Sequence, residues 1–365
     1  MQGMITDQSA VRVSKKGSKA VAIWLAIGVG MIMVQILLGG ITRLTGSGLS
    51  ITEWKPLLGA LPPLNEHAWQ QSFEKYQHIA QFKKVNSSFT LADYQAIFFW
   101  EWFHREWARL LGVVFIIPFV IFIFQKRIGR DMIKPMLILF VLGGLQGAIG
   151  WIMVQSGLND TDVRVSHIRL AIHFLCALFL LGYLLWFTLK VSVPTQQMAA
   201  QPQLKRFNLL LLVLLFFQLM YGAFMAGSHA ALNAPTWPDV NGAYWPSNLS
   251  DTHDSLWYTL CYNPIAIQFI HRTLAYGIAI LIVVWYFKAN KVSKGLWLRQ
   301  LRGVPLLLVL LQVTLGIMAL LNSMYPHAIY YAVIHQFTGM LLLLSLLITL
   351  YLSSGKETVS AIVKG

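Results

Sequence analysis

Charge is the scarcest resource in this chain. Only 12% of its 365 residues are Lys, Arg, Asp or Glu, and acids number 14 against 28 bases. With a hydrophobic share of 56% and a mean hydropathy of +0.60, that balance excludes ordinary soluble domains and indicates a polytopic membrane protein. Cysteine is nearly missing as well. Cys176 lies inside an apolar run, Cys261 lies in a loop, and no C-x-x-C spacing occurs, so neither a disulfide framework nor a zinc site is indicated. The formal charge of +14 does not point to nucleic acid, because the basic residues sit in short segments between apolar runs, as topology signals do. The polar N-terminal stretch lacks the cleavage pattern of a signal peptide and is too short and Ser-poor for a transit peptide.

Eight apolar stretches are long enough to cross a bilayer, which takes about 20 residues each. They fall near 20–42, 96–124, 136–155, 168–189, 207–226, 264–287, 303–322 and 329–352. Eighteen of the twenty-eight basic residues, against three acids, fall on the side that holds both termini. By the positive-inside rule that side is cytoplasmic. The other side carries two long loops, about 43–95 and 227–263, rich in Gly, Pro, Asn and Trp. Such loops are either ordered lids or surface insertions.

Self-similarity organises the chain. The odd-numbered runs each carry Gln-x-x-x-Gly towards the outer end: Gln35/Gly39, Gln146/Gly150, Gln218/Gly222 and Gln312/Gly316. The even-numbered runs each carry one histidine near the outer start: His104, His173, His271 and His335. Loop lengths repeat as long, short, short within each half. The expected architecture is therefore all-α, with two tandem four-helix bundles related by a pseudo-two-fold axis along the membrane normal. The expected parts are a cytoplasmic tail (1–19), a first bundle (20–190), a cytoplasmic linker (191–206), a second bundle (207–352) and a cytoplasmic tail (353–365). The Gln-x-x-x-Gly pairs suit helix packing, since glycine permits close approach and glutamine hydrogen-bonds across helices.

A four-helix bundle with two facing histidines can clamp a haem between imidazoles. Four histidines at matched positions predict two iron sites, His104 with His173 and His271 with His335. Against this stands the reading of each histidine as part of a polar network. Arg43, Arg105, Arg109, Arg164, Arg169 and Arg272 lie near outer helix ends, where guanidinium groups suit propionates or simply anchor at the interface. Arg105 and Arg272 directly follow a histidine and, with Arg43, are the expected positioning residues. His67, His78, His229 and His253 read mostly as solvated or locally bonded, as do His167 and His327. Glu101, three before His104, shares its helix face; the same place before His271 holds Gln268. A carboxylate in one unit and a neutral near-isostere in the other suggests chemistry in the first and electron handling in the second. The plainer reading of Glu101 is an ion pair with Arg105. A di-iron carboxylate site would need further inward carboxylates that the other helices lack.

At these residues the sequence resembles the haem A synthase family, from about Gly39 to His335. The phrase Gly39-Gly40-Ile41-Thr42-Arg43-Leu44-Thr45-Gly46-Ser47-Gly48-Leu49-Ser50 is similar to that family's first-loop signature, as are Trp54-Lys55-Pro56, Gly59 and Pro62-Pro63-Leu64. Glu101-x-x-His104-Arg105 resembles its catalytic-helix motif, and the stretches from Gln146 to Leu158 and from Thr236 to Pro238 match further. The resemblance implies an eight-helix enzyme in two halves that oxidises a ring methyl of haem O to a formyl group, giving haem A for terminal oxidase biogenesis. It implies haem B held by His271 and His335, the substrate received near His104 and His173, and Glu101 catalytic. It also implies a bacterial inner membrane with the haem sites towards the periplasm. The implied partners are haem O synthase upstream, an unidentified electron donor, the cytochrome oxidase assembly route, lipid, and further copies of the chain. The paired loop cysteines of some bacterial members are absent, which places this sequence nearer the cysteine-free proteobacterial and mitochondrial branch. A di-haem electron-transfer protein of the cytochrome-b type is the alternative. A transporter is disfavoured by the lack of a Gly/Pro-broken helix pair at mid-depth.

Overall fold

Long apolar runs leave their backbone no partner in lipid but itself, so they must close their hydrogen bonds as helices. The computed structural model describes residues 19–55, 59–249 and 255–355. It contains eight helices long and apolar enough to span a membrane: α1 (Lys19–Leu44), α2 (Leu91–Phe124), α3 (Arg130–Gln155), α4 (His167–Ser192), α5 (Pro202–Ser228), α6 (Pro264–Ala289), α7 (Gly303–Leu321) and α8 (Ala328–Leu352). Among the described residues the only extended pairing is two isolated bridges. Both terminal tails (1–18 and 356–365), Pro56 of the loop signature, and His253 of the second loop lie outside the described residues.

Three helices begin earlier than their apolar runs, each for a local reason. At α2, Thr90 and Asp93 form a reciprocal capping box, which carries the helix through a polar first turn. Pro202 at the first turn starts α5 with its backbone angle already helical. Gly129 in extended conformation opens α3, with Asp131 in its first turn.

The helices pack as two sets of four with the same neighbours in each: α1 with α2 and α4, and α3 with α4; then α5 with α6 and α8, and α7 with α8. The sets meet through α4 against α5 and α8, and α1 against α8. One buried cluster fills the first set (Leu25, Ile32, Met136, Leu181) and another the second (Leu211, Ile282, Trp285, Leu346). Helix α8 serves both, with Met340 and Leu344 in the first and Leu342 and Leu346 in the second.

The long first loop is an ordered cap. It carries two short helices, Glu66–Gln77 and Ala80–Lys84, whose Phe73, Tyr76 and Ala80 are buried. Near the N-terminal end of α2, Phe73 stacks on Tyr94 and Tyr76 packs tilted against it, with ring centroids 5.1 and 5.3 Å away. The second loop contains a 3-10 turn at Ala230–Asn233 and a short helix at Leu256–Cys261.

Candidate functional site

Each of the four sequence histidines meets the Gln-x-x-x-Gly motif of the preceding helix. Gln35 Nε2 lies 3.3 Å from both ring nitrogens of His104. Gln146 Nε2 is 3.2 Å from His173 Nδ1, Gln218 Nε2 3.4 Å from His271 Nε2, and Gln312 Nε2 3.3 Å from His335 Nε2. The glycine one turn on makes room for the ring. A Cβ added at Gly39, Gly150, Gly222 or Gly316 would stand 3.1, 2.9, 3.2 or 2.9 Å from Cε1 of His104, His173, His271 or His335. The motif is thus a histidine seat: the glutamine flanks the imidazole and the missing side chain accommodates it.

In the second set, the rings of His271 and His335 face each other with centroids 6.5 Å apart at 76°. Two metal–imidazole bonds of about 2 Å plus two ring half-widths add to about 6 Å, so one iron fits between them. His335 Nδ1–H donates to the Gln312 carbonyl at 3.0 Å, which makes Nε2 the lone-pair nitrogen; the Gln312 amide that meets it at 3.3 Å would have to yield it to a metal. His271 Nδ1 and the Oε1 atoms of Gln35, Gln218 and Gln312 are buried without a protein partner, as polar atoms beside a prosthetic group would be. The donor set of neutral imidazoles suits haem iron, and these residues fit the group.

Glu101 is 2% exposed and fully engaged. Its Oε2 accepts from Ser50 Oγ at 2.7 Å and from the Ile51 backbone N–H at 2.8 Å; its Oε1 accepts from Arg105 at 2.5 Å. Arg105 also donates to the carbonyls of Ile51 and Glu53. The i,i+4 ion pair therefore exists, and it staples the glycine-rich first loop onto α2. The second set repeats the device without the charge. Arg272 donates to Gln268 Oε1 and to the carbonyls of Thr236, Pro238 and Asp239, while Gln268 Nε2 donates to those of Ala230 and Ala234. Arg43 reaches across the interface, donating to the Ala226 carbonyl of α5 at 2.8 Å. Ser50 closes the first-loop phrase read in the sequence, but nothing there pairs it with Glu101, and Ile51 acts through a backbone N–H, which leaves no residue-type signature.

His229, at the end of α5, departs from the expectation of a solvated residue. It takes a left-handed backbone (φ 55°) as the helix cap. Burial first, then Arg164 and Arg43, push its pKa down to about 4. That lies below the unfolded value of about 6.5, so the neutral ring contributes stability in full above about pH 6.5, and the contribution declines as pH falls towards 4. Histidine NMR should show His229 neutral at about pH 6. His167 also bonds beyond its own surroundings, donating from Nε2 to the Cys261 carbonyl at 2.6 Å.

The family model described as "Cytochrome oxidase assembly protein" matches residues 22–347. A protein named heme A synthase from Flavobacterium psychrophilum is 37% identical over 339 residues, covering 92% of this chain and 98% of that one. The heme A synthase of Rhodospirillum centenum is 41% identical over 350 residues, 94% of this chain and 91% of its own length. That of Paracoccus denitrificans is 39% identical over 318 residues, 84% and 82% respectively. With the matched seats, the eight spans and likeness over nearly the full length of both partners, the chain belongs to the haem A synthase family of cytochrome oxidase assembly proteins.

Proposed function

We propose that this chain is a haem-dependent oxidoreductase that converts haem O to haem A, oxidising one ring methyl to a formyl group. The observation that carries this reading is a duplicated pair of histidine seats, only one of which has a carboxylate one turn outward. The two sets are related by a pseudo-two-fold along the membrane normal. The first, 20–190, receives the substrate between His104 and His173; the second, 207–352, keeps haem B between His271 and His335. Bound there, haem B supplies electron transfer, which none of the side chains can provide.

The chain's own residues do the rest. The glutamines and glycines of the seats fix where each imidazole points. Glu101 lies about 4.5 Å along the axis of α2 from His104, outward of it. Its Ser50 partner gives it an exchangeable proton, and it serves proton transfer or holds an oxidised intermediate. The stacked cap of the first loop and the stapled second loop keep water from the outer ends of both sites. Arg43, Arg105 and Arg272 are placed to pair with haem propionates through N–H groups left over from their carbonyl bonds. The basic-residue distribution puts both termini in the cytoplasm and the seats towards the periplasmic side of the bacterial inner membrane. Haem O synthase, an electron donor and the oxidase assembly route are the expected partners.

The test is co-expression with a haem O source, acid extraction of the haem, chromatography and pyridine spectra. A formyl haem that requires Glu101 supports the reading; unchanged haem B throughout supports the di-haem electron carrier instead. The seats give a separate prediction. Gly316→Ala places a methyl against His335, so haem B content is expected to fall severalfold. Helix content by circular dichroism stays level, since alanine favours helix over glycine by about 1 kcal/mol.

A further inference from the structure

Directly inward of the first histidine pair the structure holds an apolar cavity of about 220 Å³. Its walls come from all four helices of the first set. They include Gly28, Gly112, Gly143 and Gly144, and it extends to Trp24. It starts one turn below the seat: Met31 is four residues before Gln35, Ala108 four after His104, and Gly143 three before Gln146. From Met31 to Trp24 it runs about 10 Å along α1. Trp24 closes the far end, tied by Nε1–H to the Val114 carbonyl at 2.9 Å and packed against Phe115 at 5.3 Å.

The internal repeat shows that this space is particular to the first set. Aligning each seat on its counterpart (Gln35 on Gln218, His104 on His271, Gln146 on Gln312) puts Leu211 at the place of Gly28, Ala279 at Gly112 and Val309 at Gly143. Leu211 and Val309 are buried in the core of the second set. Val309 thus fills in one half what Gly143 leaves empty in the other, while Gly28, where a Cβ would stand 3.0 Å from Leu184, is a wall position that Leu211 occupies with a full side chain. A Cβ at Gly112, Gly143 or Gly144 would meet nothing within 4 Å, so these glycines are not there to let helices touch. In keeping with this, α2 and α3 pack less closely than α6 and α7.

Resting on the proposed function, we infer that this slot takes the isoprenoid chain of the substrate haem and is what distinguishes the two sites. Haem O differs from haem B by a long isoprenoid alcohol on one edge of the ring, and burying such a chain is favourable by about 0.8 kcal/mol per methylene. The first site, with a slot that begins one turn inward of its seat, selects the tailed haem. The second, plugged by Leu211 and Val309, has no room for a tail and selects haem B. The glycines are positioning and specificity residues, since the reacting methyl lies on the ring and not on the chain.

The test uses the full-length protein in detergent with its resident haem in place, titrated separately with haem O and haem B. Binding is followed by the low-spin absorbance increment and by chromatography of extracted haem. For the natural sequence, haem O is expected to bind the first site at least about tenfold tighter than haem B, the worth of about two buried methylenes. In Gly112→Ala/Gly143→Val, which copies the second set, that preference is expected to vanish while haem B affinity and the resident spectrum are kept. Should the double variant lose its resident spectrum, Gly143→Ala takes its place with a smaller loss of preference expected. A filled variant that still prefers haem O, or a natural protein with no preference, overturns the inference; a lipid acyl chain as the occupant would give the latter. If instead neither haem binds and His104→Ala changes nothing, the assignment of the first site fails and the slot's role with it.

Discussion

Replacing His271 or His335 by alanine is expected to strip the resident haem. The low-spin bis-histidine spectrum should disappear from the purified protein, with haem content falling to background by pyridine assay. The expectation follows from geometry. The two rings stand 6.5 Å apart, one is oriented by the Gln312 carbonyl, and both are wedged against glycines that allow no side chain. Removing either would leave the proposed haem with one imidazole and open a cavity in the seat. His104→Ala and His173→Ala, in the other set, are expected to keep the resident spectrum and lose the second, substrate-dependent increment. A His271→Ala or His335→Ala protein with its spectrum intact would show that iron binds elsewhere.

Exchanging Glu101 separates its two jobs. Glu101→Gln copies the second set, where Gln268 and Arg272 staple a loop without a negative charge. It is expected to fold and keep its haem B while formyl haem production falls by about 100-fold or more, the usual worth of a positioned acid–base group. Glu101→Ala is expected to lose that activity and stability too. It leaves Arg105 without its buried counter-charge and Ser50 and the Ile51 N–H without an acceptor, a loss of about 3 kcal/mol. Thermal melts and haem extraction on the same preparations check both. Normal turnover in Glu101→Gln would reduce this carboxylate to a loop fastener.

The eight spans were legible because hydrocarbon thickness imposes a length and a near absence of charge, and both survive in one sequence. The histidines were legible because the repeat set four of them in register. What the glycines are for was not. Gln-x-x-x-Gly reads as helix packing until coordinates bring Gly39 under His104 and Gly316 under His335, because one-dimensional spacing does not say which side chain enters the gap. The same holds for the loops: Ser50 and Ile51 reach Glu101 across about 50 residues, a partnership that no local pattern encodes. The early start of α2 was hidden because its capping residues are polar and a hydropathy scan discards them, and that of α5 because a proline reads as a helix breaker unless it stands in the first turn.

Gln336, the neighbour of His335 on α8, donates to the Ile36 carbonyl of α1 at 3.1 Å, and Ile36 follows Gln35 beneath His104. A Cβ at Gly40 would stand 2.6 Å from the Gln336 amide, so a side chain there would push that amide off its bond to α1. For an electron passing between the proposed iron centres, this junction offers a path of peptide, one hydrogen bond and amide from one seat to the other. That path crosses the seam on a single hydrogen bond, so the hop is tied to Gln336 keeping its hold on α1.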